Sequence, residues 1–353
     1  MQTITRNIYH SLDVAKFVCA LLIIAAHFAS EQGHFPTMID YGFSIYIIAV
    51  PFFFCCSGFL FFDKLSRLAE PADRKAYFVK YIKRILLMYL VWSAIYFVFV
   101  AAGWITKGVS AQEVLRYLHT SLLFSTYATI WFLPALAVGV AMVYFLHKVL
   151  SIEWIFVISL LFYVIGTFGY SYAPALDGVP ALREAYRVYD AIFISSRNGV
   201  FHGFPLIAMG ALVAKRRNAA PEKKQRGAFY LAGVLIFGVG VVGEAFWVKQ
   251  QFNPTGMDTI FLLLPFTYFL IQWLLTVPLK DRKIYTLMRN TSLLMFVSQR
   301  LFLSALPSVF PEVFRVLWSN SYVGLILTLA LVTGFSVLIV KLTPRLKFLK
   351  VLW

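Results

Sequence analysis

Residues 11–31 read SLDVAKFVCALLIIAAHFASE, a mostly apolar run that begins next to Asp13 and Lys16 and carries His27 near its far end. A bilayer crossing needs about 20 mostly apolar residues in a helix, so this segment is a membrane span that contains ionisable groups. The rest of the chain agrees. Of 353 residues, 60% are hydrophobic and only 14% are charged, where a soluble domain carries about a quarter charged residues. This composition excludes a soluble enzyme, a disordered chain and a disulfide scaffold. Similar runs fall at about 13–31, 42–62, 81–102, 129–147, 153–170, 197–214, 228–248, 257–278, 291–306 and 321–340. Gln299 and Arg300 interrupt the ninth. The expectation is an all-α polytopic membrane protein of about ten transmembrane helices, built as a single domain over residues 1–353 with no appended soluble domain.

Ten spans place both termini on one side. The termini and the loops that would share that side, with the Lys83–Arg84 helix end, hold 23 Lys and Arg. The opposite loops hold 6, and Lys16, Arg197 and Arg300 lie within spans. The positive-inside rule puts the basic side, and both termini, in the cytoplasm. The same count accounts for the formal charge of +16, so nucleic acid is not expected as a partner; the lipid bilayer is. The outer loops 103–128 and 171–196 each contain an amphipathic stretch, Gln112–Phe124 and Ala181–Ile194. They read either as interfacial helices or as a lid over an outward-facing site. Cys19, Cys55 and Cys56 lie in apolar runs without zinc-site spacing, so no metal site is expected.

An ionisable side chain inside a span costs at least a few kcal/mol and calls for an explanation. In the first span, Ser11 reads as an N-cap, with Asp13 in the first turn where the helix dipole favours a carboxylate. Lys16 and His27 are eleven residues apart, close to three turns, so they project from nearly the same face about 16 Å apart. Asp13 and Lys16 form either an anchoring i,i+3 ion pair or the inner part of a site. His27 is either a packing hydrogen bond or a functional group. Arg197, Asn198 and His202 mark the outer part of the sixth span and Glu244 that of the seventh. They either neutralise one another or surround a polar acceptor. Trp131 opens the fourth span as a belt residue or a platform. Ser57 and Gly58 serve close helix packing or leave room for a ligand. Lys80, Lys83 and Arg84 serve topology or bind phosphate.

These segments resemble the acyltransferase-3 family of bacterial integral-membrane O-acyltransferases. The resemblance lies in Lys16, ten residues and His27, preceded by Ser11-Leu12-Asp13, and in the second-span segment Val50 to Leu60 that contains Ser57-Gly58-Phe59. The Tyr77–Trp92 entry to the third span, Trp131-Phe132-Leu133-Pro134 and the Arg197–Gly210 segment are similar in kind. Tyr81 stands where the family has the first Arg of an Arg-x-x-Arg pair ending at Arg84. Gln299 stands near where many members have a His.

The resemblance implies transfer of an acyl group, usually acetyl, from cytosolic acyl-CoA to a hydroxyl of a surface glycan, lipid-linked sugar or related acceptor in the bacterial inner membrane. Acetyl-CoA or another acyl-CoA is then a co-substrate, and no bound cofactor is expected. Lys16, Lys80, Lys83 and Arg84 would hold the CoA phosphates, with Ser57 and Gly58 leaving room for the pantetheine arm. His27 would be the general base, with Lys16 and Asp13 as further catalytic residues on the same helix, or would carry the acyl group itself. Arg197, Asn198, His202, Glu244 and Trp131 would face the acceptor. The competing class is a transporter or exporter of a polar metabolite, against which stands the lack of an internal repeat.

Overall fold

The computed structural model describes residues 9–32, 43–127, 129–219, 226–254 and 256–353, and among these every regular element is helical. In chain order, α1 spans His10–Gln32, α2 Ala49–Leu65, α3 Pro71–Lys107, α4 Ala111–Leu123, α5 Phe132–Leu146, α6 Ile152–Phe168 and α7 Pro180–Phe193. A π-helical turn, Gly199–Gly203, leads into α8, Phe204–Ala219. Then come α9, Gly227–Phe252, α10, Leu263–Leu274, and α11, Lys283–Arg300. A second π-helical turn, Leu301–Ala305, carries α11 on to Val309. Two helices complete the order, α12, Pro311–Leu317, and α13, Ser321–Leu342. Among the described residues, six helical segments are long and apolar enough to cross a membrane: His10–Glu31, Tyr46–Leu65, Pro71–Thr106, Gly227–Phe252, Lys283–Val309 and Ser321–Leu342. With the apolar but shorter α5, α6 and α10, they make this a multi-pass membrane protein.

Three sequence expectations about element ends are corrected. The third run begins at Pro71, not near 81, because a proline suits the first helical turn and Asp73 sits where the helix dipole favours an anion. Lys80, Lys83 and Arg84 therefore lie about two and a half to three and a half turns inside a 37-residue helix, which is about 55 Å long at 1.5 Å per residue, not at its end. Ser11 is not an N-cap. It lies within the first turn of α1, and its hydroxyl donates to the Leu274 carbonyl at 2.6 Å. Gln299 and Arg300 do not break the ninth run: the helical segment continues from Lys283 to Val309, with Gln299 facing His27 and Arg300 paired with Glu31, both on α1. The two amphipathic stretches of the outer loops are the helices α4 and α7.

The chain divides into two compact units, each assembled from separated stretches. The first contains Met1–Leu12, Val50–Ile85 and Phe132–Lys280, hence α2, the first turns of α3, and α5 to α10. Its helices pack with little between their backbones. A Cβ on Gly58 of α2 would stand 2.6 Å from the Ile207 carbonyl oxygen of α8, and one on Gly210 would run into the Cys55 carbonyl. Gly58 thus serves close packing, the first of the two roles open to it. At one end of this unit Asn218 donates to Ser66 at 2.8 Å, Lys215 pairs with Glu153 at 2.8 Å, and the Arg217 guanidinium lies 5.4 Å over the Tyr9 ring. The start of α1, the ends of α2, α8 and α10, and the start of α6 therefore share that end.

The second unit contains Asp13–Ala49, Leu86–Trp131 and Asp281–Trp353, hence most of α1, the rest of α3, α4 and α11 to α13. Here α11 packs along α13. The buried Tyr96 hydroxyl donates to the Val297 carbonyl at 2.6 Å, and Phe28 meets the Trp318 ring edge-on at 5.7 Å.

Candidate active site

Within the second unit, α1 and α11 are joined by polar contacts at three levels. Asp13 is buried and holds Lys16 at 2.9 Å and Arg289 at 3.8 Å. His27 Nδ1 lies 2.9 Å from Gln299 Oε1. One turn further, Arg300 pairs with Glu31. Residue number rises along both helices from contact to contact, so α1 and α11 run parallel.

The middle level fixes the chemistry of His27. Gln299 is fully buried, and its Nε2 donates to the Phe296 carbonyl at 2.9 Å. Turning the amide over would set two oxygens against each other, so Oε1 is the atom facing the imidazole. An amide oxygen only accepts, so His27 Nδ1 carries the proton, and in the neutral ring Nε2 carries the lone pair. The π-helical turn begins directly after Arg300, and such turns are frequent at functional sites.

The remaining candidates divide between the units. Trp131 belongs to the second, where its ring stacks on Phe124 at 6.2 Å. Ser57, Gly58, Lys80, Lys83, Arg84, Arg197, Asn198, His202 and Glu244 belong to the first. There Lys80, Lys83 and Arg84 are all exposed. Tyr81, between them, packs its ring 4.7 Å from Phe61, which also stacks on Tyr77 at 5.1 Å.

At the other end of the first unit, Arg197 pairs with Asp258 at 3.1 Å and lies 5.3 Å over the Tyr170 ring. The Glu244 carboxylate accepts from the Tyr172 hydroxyl at 2.6 Å and from the Phe261 and Leu262 amides at 2.8 and 2.7 Å. Those two amides lie in the turn directly before α10, so Glu244 sits as an anion at the N-terminal end of that helix. Asn198 likewise caps the π-helical turn, accepting from Val200 and Phe201. His202 is fully buried, with its ring 5.5 Å from that of Phe54. Arg197 and Glu244 thus lie at one end of the unit with partners of their own, Asp258 and the start of α10, rather than neutralising each other.

Sequence reasoning missed four of these partners. Asp258, Glu31 and Arg289 lie at or just outside the ends of the apolar runs, where charge is expected and draws no attention. Gln299 stood out as an interruption and as the residue near the family's His, but not as the partner of His27.

The acyltransferase-3 family model, described as an acyltransferase domain, matches residues 9–341. This chain belongs to that family, as a member of multi-pass membrane type. Among curated proteins, it is 28% identical over 276 residues to an amino-acid racemase of Enterococcus faecalis, a match covering 76% of this chain and 36% of the relative. A second amino-acid racemase of Enterococcus faecalis and a serine/alanine racemase of Enterococcus gallinarum are each 24% identical over 261 residues. These matches cover 72% and 74% of this chain and 36% of each relative. The chain thus spans about a third of the length of these relatives. No solved structure matches it.

Proposed function

We propose that this protein transfers an acyl group, acetyl in the first instance, from cytosolic acyl-CoA to a hydroxyl of a surface glycan, lipid-linked sugar or related acceptor at the bacterial inner membrane. The observation that carries the reading is the contact between His27 and Gln299. It presents an imidazole with its proton on Nδ1 and its basic lone pair on Nε2, the arrangement a general base needs. In the step proposed, Nε2 takes the acceptor's hydroxyl proton while the oxygen attacks the thioester carbon. The carbon–sulfur bond then breaks, and the CoA thiolate leaves with the proton His27 collected.

Each other role rests on the residue's own surroundings. Lys80, Lys83 and Arg84 stand exposed and suit the donor's phosphates. Lys16, held by Asp13, suits the same phosphate chemistry. Ser57 borders the pantetheine arm. Arg197, Asn198, His202, Glu244 and Trp131 serve the acceptor side. The ten-span topology, with both termini in the cytoplasm, completes the proposal. It adds to the six long apolar segments the shorter α5, α6 and α10 and the helix formed by α8 with its π-helical turn.

The test is thiol release from acetyl-CoA by the purified protein in the presence of a hydroxyl acceptor. His27→Gln keeps polarity and hydrogen bonding but cannot take a proton near neutral pH. It is expected to lose about 10²- to 10⁴-fold in turnover, the usual worth of a general base, while melting temperature and acetyl-CoA affinity stay near those of the parent. Near-normal turnover by His27→Gln would overturn the general-base assignment. Movement of a polar solute across liposomes without CoA would instead support a transporter.

A further inference from the structure

The first unit contains a cavity of about 770 Å³ that no step of acyl transfer uses. It opens among the ends of α2, α5 and α8 and the starts of α3 and α6, at the end of the unit where Lys215 meets Glu153. Its wall is aromatic. Phe78 and Tyr144 stack at 4.0 Å with planes 6° apart, and Phe62 and Phe145 extend the surface. Its charged lining is cationic only: Arg74, Lys75, Lys148 and Lys215. Lys215 is neutralised by Glu153, but no carboxylate among the described residues pairs with Arg74, Lys75 or Lys148. Arg74 spends its Nε on the Leu68 carbonyl, and Lys148 Nζ lies 5.0 Å over the Phe145 ring. A pocket with three uncompensated cations favours an anion, and phosphate is the anion that Arg and Lys bind best.

The neutral polar lining narrows the class. Ser66 donates to the Asp63 carbonyl and accepts from Asn218, and His147 Nδ1 lies 3.2 Å from the Leu150 carbonyl, which leaves the Tyr144 hydroxyl and the other His147 nitrogen as the remaining neutral polar groups of the lining. Little remains to read the edge of a nucleotide base or the hydroxyls of a sugar. The apolar wall continues instead onto the outer surface of the helices, where Val79 is 36% and Phe145 53% exposed. In a membrane protein such a surface faces acyl chains. We propose that this cavity is a binding site for an anionic phosphoglycerolipid, with the headgroup phosphate at Arg74, Lys75 and Lys148 and the chains running along the aromatic wall. This inference does not depend on the acyl-transfer reading, because none of these residues has a part in it.

Native mass spectrometry of the full-length protein, released from a neutral detergent, tests the site with phosphatidylglycerol as probe. One phosphatidylglycerol should be retained at least about tenfold more tightly than phosphatidylcholine, the worth of one charge-assisted hydrogen bond. That preference should vanish in Arg74→Gln/Lys75→Gln/Lys148→Gln. It should persist in Lys280→Gln/Arg282→Gln/Lys283→Gln, which removes the same charge from residues that do not line the cavity. Lys148→Gln alone supplies a milder variant should the triple one not fold, and should weaken retention severalfold. Equal loss in both triple variants would reduce the effect to general charge and overturn the site. So would equal retention of the two lipids, or displacement of phosphatidylglycerol by stoichiometric acetyl-CoA or inorganic phosphate.

Discussion

At the scale of single residues, the amide of Gln299 decides which nitrogen of His27 is basic. Gln299→Leu removes the acceptor and leaves a partly buried N–H unsatisfied, at a cost of about 1–3 kcal/mol. The ring is then free to turn or to change tautomer, so kcat is expected to fall about tenfold or more while the KM for acetyl-CoA stays put. Gln299→Glu retains an acceptor facing Nδ1 but sets an oxygen against the Phe296 carbonyl, so it should recover part of the rate at some cost in melting temperature, with a changed pH profile because a carboxylate now backs the imidazole. If Gln299 served only packing, both variants would change the melting temperature and leave kcat per folded molecule alone. The separation of Lys16 and His27 along one helix face was legible from spacing. The choice of nitrogen was not, because it depends on a residue 272 positions away in the chain and on the carbonyl that orients that residue's own amide. Glu244 shows the opposite case. An apolar run can reveal that a carboxylate is out of place, but not that two backbone amides at the start of the next helix receive it.

At the scale of elements, two features give contrasting expectations. A side chain on Gly210 would meet backbone atoms of α2, which cannot swing aside, whereas a Cβ on Gly243 of α9 meets nothing within 4 Å. Gly210→Ala should therefore lower the melting temperature, at the 1–3 kcal/mol typical of overpacking or above. Gly243→Ala should raise it slightly, since alanine in a helix interior is favoured by about 0.5–1 kcal/mol. A differential scanning measurement on the two proteins checks both signs. The second feature is the capping box of α4. Ser110 accepts from the Glu113 amide, and the Glu113 carboxylate accepts from the Ser110 amide and hydroxyl. Those hydrogen bonds hold the Glu113 carboxyl below its ordinary value. A depressed carboxyl stabilises the folded form above its unfolded pKa and loses that contribution as pH falls through the folded value. Amide exchange in residues 111–117, corrected for its intrinsic pH dependence, should accelerate as the pH drops below about 4. Ser110→Ala should abolish that dependence. The existence of nearly every helix was legible from apolar and amphipathic runs. Ends were less so, because Pro71 starts its helix in a polar stretch that hydropathy assigns to a loop.

At the scale of the whole molecule, what needs testing is which side of the membrane the basic end faces. The 23 Lys and Arg assigned to the cytoplasm are a statement about sequence. Within the first unit, folding gives it a physical counterpart, since Tyr9, Arg67, Lys215 and Arg217 gather at one end. Asp177 and Asn218 allow the orientation to be read directly. Both are exposed, and the native thiols Cys19, Cys55 and Cys56 are buried, so an engineered cysteine reports against a quiet background. In intact cells, a membrane-impermeant maleimide should label Asp177→Cys and spare Asn218→Cys, and opening the membrane should expose position 218 as well. Labelling of position 218 from outside would invert the molecule. Lys80, Lys83 and Arg84 would then lose access to a cytosolic donor, and acyl-CoA could no longer be the source of the acyl group, even with His27 and Gln299 placed as they are.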